Sequence, residues 1–369
     1  MLLLSLNMFK KLFTIPLVAL LLCGCQSSFG PGALQATHPA YNQVIIQSLN
    51  EQMLLNLVRL KYRDKAYFLK VGSVTASMTF NGSAGIDTAL DLAPGGNIVK
   101  PNLGISYSDR PTISFQPLDG EDFLKSVLSS ISFDALLVMT QSGWSIERVF
   151  GLCVERINNV YNAPTASGPS PAIEPEFRDF KRAMQLIREL QLAHEVEIGP
   201  DEHNDLLVMF KVTDENRRKV LEVSSLLEFD LPKDGNQYLR IRLDNNFLRI
   251  NANELKIRPR SIASVLYYLS QQVDIPSSDV DAGLVTITRT SNGEPFNWDE
   301  TPAGEFFHVR FSEDFPESAF LAIPYRGHWF YIADNDLESK STFMLLTQLF
   351  DLQSGQSKYS GPTLTLPVR

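Results

Sequence analysis

The cysteines of this chain are the residues whose type and spacing point most directly to chemistry. Three occur in 369 residues: Cys23, Cys25 and Cys153. The first two close an apolar run, Leu12 to Leu22, that follows the basic pair Lys10-Lys11. Basic, apolar and small residues in this order are typical of a secretory signal. The pattern therefore predicts that the chain is exported.

The apolar run is too short to cross a membrane. It holds 11 residues, whereas a transmembrane helix needs about 20. Residues 1–24 are therefore predicted to be a signal peptide that is removed. Met8 stands directly before the basic pair and suits a start of translation as well as Met1 does, and the sequence leaves that choice open.

The segment Leu22-Cys23-Gly24-Cys25 resembles the lipobox of bacterial lipoproteins, the substrates of signal peptidase II. The resemblance implies that the chain is cut before Cys25 and that this thiol and the new amino group receive fatty acyl chains such as palmitate. Cys23 departs from the commoner Ala or Ser. Gln26, where Asp would imply retention at the inner membrane, implies the periplasmic face of the outer membrane. The alternative is an ordinary signal peptide in which Cys25 is incidental.

Longer phrases carry a second resemblance. The segments NLVRLKYRD, RPTISFQPLDGEDF, QSGWSIERV and YRGHWFYIADNDLESKSTF are similar to those of a family of proteobacterial lipoproteins. The resemblance covers most of the chain after the signal, but it implies no activity and no functional residues.

The net charge of the chain limits the kinds of partner that it is expected to bind. The chain has 33 basic and 42 acidic residues, a net charge of −9. Removal of residues 1–24 takes away both early lysines and leaves 345 residues at −11. An acidic balance argues against nucleic acid as a partner. It also gives no electrostatic attraction to anionic lipid headgroups, so the acyl chains are expected to provide the membrane attachment.

The pattern along the chain predicts an α+β protein. A flexible tether is expected at residues 25–40, a helix, antiparallel β meander and helical segment at 41–161, and a Pro/Ser/Gly linker at 162–175. Residues 176–369 show a rhythm of small α-β-β modules. Within the meander, alternation over 73–80 followed by Asn81-Gly82 predicts four strands with a tight turn at that dipeptide. Cys153 is expected to be a small buried hydrophobe on a helix that continues to Asn158.

The usual linear motifs for catalysis and metal binding are not found. The chain has no Gly-Lys dipeptide for a phosphate loop, and its five histidines have no metal-ligand spacing. No catalytic residue, cofactor or metal site is therefore predicted. Residues 334–338, Asp-Asn-Asp-Leu-Glu, fail the calcium-loop template and suit a polar turn that starts a helix.

One stretch near the end suggests a binding surface. Tyr325 to Tyr331 is the densest aromatic patch, and strand alternation would put Trp329 and Tyr331 on the face opposite His328. Core packing is one interpretation of the patch. The other is a partner surface formed by His328, Trp329, Tyr331, Asp334 and Asp336.

Three functional hypotheses follow. The first is a scaffold or accessory subunit of a cell-envelope assembly that acts through protein contacts. The second is an oligomeric lipoprotein that donates β-hairpins, from about residues 72–116, to an outer-membrane barrel or secretion channel, because alternating apolar and small polar residues are typical of transmembrane strands. The third is an envelope enzyme without a linear motif, which would require a pocket where distant carboxylates or histidines converge.

Overall fold

The computed structural model describes residues 31–89, 98–169, 173–203, 205–231, 237–248, 254–354 and 363–365. The signal segment 1–24, Cys25 and the choice between Met1 and Met8 lie outside these residues. The described α-helices are α1 Pro31–Lys61, α2 Glu121–Leu128, α3 Phe133–Gln141, α4 Ile146–Cys153, α5 Arg178–Leu192, α6 Arg217–Leu227, α7 Ile262–Ser270, α8 Ser277–Asp281, α9 Pro302–Phe306 and α10 Leu337–Ser354.

The strands form three sheets, so the protein is α+β as predicted. The strands are β1 Phe68–Ala89, β2 Ile98–Leu118, β3 Val154–Ile157, β4 Val160–Tyr161, β5 Val196–Pro200, β6 Leu206–Lys211, β7 Tyr238–Asp244, β8 Glu254–Pro259, β9 Arg310–Ser312, β10 Ala319–Tyr325, β11 His328–Ala333 and β12 Thr363–Thr365. Their orders are β12-β1-β2, β10-β11-β9 and β4-β3-β8-β7-β6-β5. Two compact units are distinguished, residues 1–50 and 51–369.

Helix α1 begins earlier than its apolar pattern indicates. The sequence predicts a helix from Tyr41, but α1 starts at Pro31, so residues 31–40 of the predicted tether are helical. Proline suits the first position of a helix, and the residues that follow it include good helix formers. The other end of α1 buries Leu54, Leu57 and Val58 completely.

The predicted meander is antiparallel, as expected, but it has two long strands in place of four short ones. Strands β1 and β2 have 22 and 21 residues. The turn predicted at Asn81-Gly82 is wrong, because both residues pair across the ladder, with Ser106 and Ile105. A register that is continuous from Ser73↔Ser114 to Ala89↔Ile98 outweighs the turn preference of one dipeptide. Residues 90–97, which connect the strands, lie outside the described residues.

The six-stranded sheet unites the two sides of the predicted linker. Strand β3 precedes residues 162–175 and pairs with β8, which follows them. Asn162, Ala163 and Ala166 are completely buried, and residues 164–167 form a 3₁₀ turn. Residues 162–175 therefore do not separate two units, and both flanks belong to the unit 51–369. Two α-β-β modules, α5-β5-β6 and α6-β7-β8, contribute the other strands of this sheet.

A buried arginine holds β3 and the residues of the predicted linker together. The side chain of Arg260 is 1% exposed and its guanidinium lies 4.2 Å from the ring centre of Tyr268. It donates to the main-chain oxygens of Leu152, Val154, Asn162 and Ala163 and to Ser167 Oγ. Burial lowers the pKa of this guanidinium. Acceptors from β3, from the 3₁₀ turn and from the residues around them thus converge on one side chain.

Helix α4 ends before the predicted position, because the residues after it form strand β3. The apolar stripe predicts a helix from Ile146 to Asn158, yet α4 ends at Cys153 and the chain continues as β3. Cys153 itself is completely buried, as expected, and burial raises the pKa of its thiol to about 12. A thiol in that state is not a nucleophile near neutral pH.

Candidate functional site

Strand β11 carries three residues of the predicted binding surface. Phe330 and Ile332 are completely buried, whereas His328, Trp329 and Tyr331 are partly exposed. Trp329 packs edge-on against Phe315, with ring centres 4.9 Å apart. His328 lies 6.1 Å from the ring of Phe311. The strand thus follows the predicted alternation and keeps two aromatic side chains on its less buried face.

The two carboxylates of the predicted surface are engaged within the chain. Asp334 Oδ1 lies 2.7 Å from Lys340 Nζ. Asp336 accepts from the main-chain N–H of Ser339 at 3.0 Å and from its Oγ at 2.8 Å. A side chain that accepts three residues ahead, directly before α10, is a helix N-cap. These contacts fit the helix-starting turn indicated by the sequence. Cys25, the predicted lipidation site, lies outside the described residues.

The hairpin β1–β2 is a larger feature than this surface. Its pairs run without interruption from Ser73↔Ser114 to Ala89↔Ile98, after one register shift between Val71 and Ser73. At about 3.3 Å per residue, a strand of 22 residues is about 70 Å long. The third strand of its sheet, β12, pairs with β1 only at Ser73 to Thr75. In the described part of the chain, no strand pairs with the second edge of β1 beyond Thr75 or with the second edge of β2.

The register sorts the residues of the hairpin into two unlike faces. Residues directly opposite in an antiparallel pair share a face, and alternate pairs change face. One face holds the pairs Phe80↔Tyr107, Gly82↔Ile105, Ala84↔Leu103, Ile86↔Pro101 and Thr88↔Val99. The other holds Thr79↔Ser108, Asn81↔Ser106, Ser83↔Gly104, Gly85↔Asn102 and Asp87↔Lys100. The first face is almost entirely apolar, and the second consists of small and polar residues.

A buried amide fixes the base of the hairpin. Asn56, completely buried on α1, donates from Nδ2 to the main-chain oxygen of Tyr67 at 2.8 Å and accepts from its N–H at 3.0 Å. Gln52, one turn earlier on the same helix, accepts from the N–H of Leu69 at 3.0 Å. The helix thus supplies the partners that a neighbouring strand would give to the first residues of β1.

Aromatic packing completes the base. The ring of Phe68 lies 4.8 Å from that of Phe350 on α10 and 6.1 Å from that of Phe123 on α2. Leu118, opposite Phe68 in the ladder, is also buried. The first residue of β1 and the last residue of β2 are therefore both anchored in the core by apolar side chains. The register shift at Val71/Ser73 marks where the ladder leaves this base.

A second set of contacts clamps the residues just before the hairpin. The hydroxyl of Tyr62 donates to Asp279 Oδ2 at 2.6 Å. The carboxylate of Asp64 accepts from Tyr325 Oη and from Arg326. These hydrogen bonds, first that of Tyr325, hold the pKa of Asp64 below its ordinary value. Tyr325 and Arg326 belong to the aromatic stretch 325–331 but not to the predicted binding surface, and they hold Asp64 in place.

We predict that Asn56→Leu loosens the hairpin base. The change leaves the N–H and the carbonyl oxygen of Tyr67 without their side-chain partners, and the loss of each hydrogen bond at this partly buried position costs about 1 kcal/mol. The expected loss of unfolding free energy is about 2 kcal/mol, measured by urea denaturation, with faster hydrogen exchange at the Tyr67 amide. Gln52→Leu removes one acceptor only and should cost about half as much. Equal stability of Asn56→Leu and the native chain would contradict this role.

Two titratable groups with displaced pKa values, Lys61 and Asp274, lie elsewhere in the unit. Burial lowers the pKa of the Lys61 amine to about 8, an effect that Asp274 opposes. Burial also raises the pKa of Asp274, an effect that His308 opposes. Groups with displaced pKa values are common in active sites, but structural contacts displace them as well. The Lys61 amine donates to the main-chain oxygen and to Oε1 of Gln271, which fixes it as a structural contact.

A groove of about 1060 Å³ among the described residues gathers several carboxylates, a feature that the enzyme hypothesis requires. Its lining includes the carboxylates of Glu174, Glu176, Asp179 and Glu228. Glu174 is paired with Arg178 at 3.4 Å. Carboxylates alone do not define a reaction, because acid–base catalysis by such groups requires environments that separate their pKa values.

The hairpin was only partly visible in the sequence. Alternation over 73–80 indicated a strand, but the length of the ladder and the pairing of apolar with apolar positions depend on the register. The signal that could have revealed it is the second alternating run, Leu103, Ile105 and Tyr107, read as the partner of the first. Asn56 and Gln52 gave no signal, because polar residues on a helix are ordinarily solvent-exposed.

Comparisons with protein-family models, curated proteins and solved structures find no match to this chain. Within the described residues, no group of three or more His, Cys, Asp or Glu side chains could hold a metal ion. None of the described helices combines the length and apolar composition that crossing a membrane requires.

Proposed function

We propose that this chain is a lipid-anchored protein on the periplasmic face of the outer membrane that works through contacts with other envelope proteins, as a scaffold or subunit of an assembly. The hairpin β1–β2 is the observation that carries the proposal. Its base is fixed in the core by Asn56 and Phe68, and its edges beyond Thr75 are unpaired within the described residues. A long strand edge offers a row of backbone donors and acceptors to another chain, so such an edge suits assembly.

The amino-terminal sequence supports the location. Cys25 follows Leu22, Cys23 and Gly24 in the order of a lipobox, and Gln26 occupies the sorting position. Acyl chains on Cys25 and on its amino group would exceed the two signals that stable membrane attachment requires. An acidic chain has no net electrostatic attraction to anionic lipid headgroups, so these acyl chains provide the membrane attachment.

The proposal is tested by comparing the native chain with Cys25→Ala. Mass spectrometry should find the native amino terminus at Cys25 with its acyl groups, and membrane fractionation should place the chain in the outer membrane. Cys25→Ala should carry no acyl groups, should be absent from the outer-membrane fraction and should recover fewer crosslinked partners. Cys23→Ala is the matched control, because it changes the neighbouring thiol to a residue common at that position and should leave the acyl groups in place.

An unmodified terminus at another residue would contradict the anchor. Recovery of the same partners at the same yield by the native chain and by Cys25→Ala would show that the anchor is not what brings them together.

A further inference from the structure

We infer that the outer half of the hairpin, residues 80–88 paired with 99–107, crosses a lipid bilayer, with its edges paired to further copies of this chain. The inference rests on the proposed function and deepens it, because it names lipid and a second copy of the chain as what this part of the assembly contacts. Four observations carry it: the length of the ladder, its two faces, the residues that bound it and the unpaired edges.

Length comes first. Residues 80–88 and 99–107 give nine residues on each strand, paired throughout. A transmembrane β-strand takes about 9–11 residues at a tilt of about 45°. At about 3.3 Å per residue and a tilt of about 40°, nine residues cover about 23 Å along the bilayer normal, close to the apolar band of about 25 Å in outer-membrane proteins.

The faces fit the two environments of such a strand. The face that holds Phe80, Ala84, Ile86, Leu103 and Ile105 has no charged residue between residues 80 and 88 or between 99 and 107. The opposite face holds hydroxyl, amide and glycine positions and, at its outer end, the charged pair Asp87↔Lys100. Transmembrane strands alternate in this way, with apolar residues toward lipid and polar residues toward an interior. A sheet that packs one face on a soluble core alternates as well, so the length of the ladder and its unpaired edges separate the two cases.

Polar or aromatic residues lie at both ends of the paired segments 80–88 and 99–107. At the inner end, Phe80 pairs with Tyr107, and aromatic residues are enriched where strands leave the hydrocarbon. Asp109 and Arg110 follow directly on β2. At the outer end, Asp87 pairs with Lys100 on the polar face. The inner part of the ladder, residues 73–79, then spans about 23 Å between the base and the membrane.

The edges require copies of the chain. In hydrocarbon every backbone donor and acceptor needs a protein partner, so an isolated hairpin cannot remain there. Beyond Thr75, β1 and β2 pair only with each other among the described residues. Pairing β2 of one copy with β1 of the next satisfies both edges and repeats around a ring. The smallest transmembrane barrels have eight strands, which corresponds to about four copies.

The test compares neighbouring positions on opposite faces. Ala84 and Ser83 lie at the same depth, opposite Leu103 and Gly104. Cysteine is introduced by Ala84→Cys or Ser83→Cys in the full lipidated chain and labelled with an environment-sensitive dye, since the native Cys153 is completely buried. In vesicles of phosphatidylethanolamine and phosphatidylglycerol, the label at 84 should be quenched by brominated lipid and the label at 83 by aqueous iodide. Water exposure of both labels would overturn the inference.

A charge at the same two positions gives a second readout. Arginine at the midplane of a lipid-facing strand is strongly unfavourable, so Ala84→Arg should lower vesicle-inserted oligomer and ion conductance by about 30-fold or more. Ser83→Arg should retain both and shift conductance toward anions. Equal behaviour of the two variants would contradict the assignment of faces.

The two proposals fail separately. An acylated Cys25 in the outer membrane together with water-exposed labels at 83 and 84 would remove the membrane-crossing hairpin and leave the lipid-anchored function standing. An unmodified amino terminus would remove the anchor whatever the labels report.

Discussion

Arg260→Met should destabilise the protein by about 3 kcal/mol or more. The native guanidinium is completely enclosed and serves five acceptors, from Leu152 to Ser167. Methionine fills part of the space and removes a charge whose burial is itself unfavourable, as its lowered pKa indicates. Against that gain, several buried acceptors lose a donor, and each loss costs about 1–3 kcal/mol. The lost hydrogen bonds therefore outweigh the relief of desolvation.

The matched control for this change is Arg258→Met. Arg258 lies two residues earlier on β8, but it is exposed and contacts the ring of Phe247 at 5.1 Å. Its loss should change the unfolding free energy by no more than about 1 kcal/mol. Urea denaturation followed by tryptophan fluorescence measures both variants. If the two substitutions destabilise equally, Arg260 does not hold β3 and residues 162–167 together as described.

Gly304→Ala should also cost about 3 kcal/mol, although it adds a single methyl group. A Cβ at residue 304 would lie 2.4 Å from Asp299 Cα and 2.6 Å from the main-chain oxygen of Trp298. Both are backbone atoms, so α9 would have to move away from the 3₁₀ turn at 298–300. Overpacking of this kind costs about 1–3 kcal/mol and occasionally more. The rigid contact puts the expected value at the upper end.

Gly168→Ala is the comparison for Gly304. A Cβ at residue 168 meets no atom within 4 Å, so this substitution should leave stability within about 0.5 kcal/mol of the native chain. Thermal or urea denaturation of the two variants side by side measures the difference. A tolerated alanine at 304 would mean that α9 and the turn before it are not in fixed contact.

Local signals in the sequence were enough for many helices. Ser132, directly before α3, caps this helix by accepting from the Ala135 N–H, and Gly143 follows its end. Ser145 caps α4 in the same way. Capping depends on residues three apart, and information of that range is fully present in the sequence.

Long-range pairing set the features that the sequence did not reveal. Asn81-Gly82 has the composition of a hairpin turn, yet Phe80 and Tyr107 pair beside it and the ladder continues. Residues 162–175 have the composition of a linker, yet acceptors at 162, 163 and 167 bind Arg260, about a hundred residues away in the chain. Neither the strand pairing nor the hydrogen bonds of Arg260 produce a periodic pattern in the sequence near these residues.

The candidate site was predictable in part. The aromatic alternation of β11 and the helix-starting role of Asp336 follow from local pattern. The use of Tyr325 and Arg326 to hold Asp64 does not, because those residues are about 260 positions apart. A dense aromatic patch can indicate a partner surface, but here part of it contacts the chain itself.

The size of the complex extracted from outer membranes with mild detergent tests most directly whether the hairpin β1–β2 joins copies of the chain. The native chain is compared with a variant in which residues 76–111 are replaced by Asn-Gly, which closes the ladder after the pair Thr75↔Thr112 and leaves the base contacts of Asn56 and Phe68 intact. The native chain should form a large, heat-resistant oligomer, and the variant should be a folded, acylated monomer. An oligomer of unchanged size in the shortened variant would contradict this role of the hairpin.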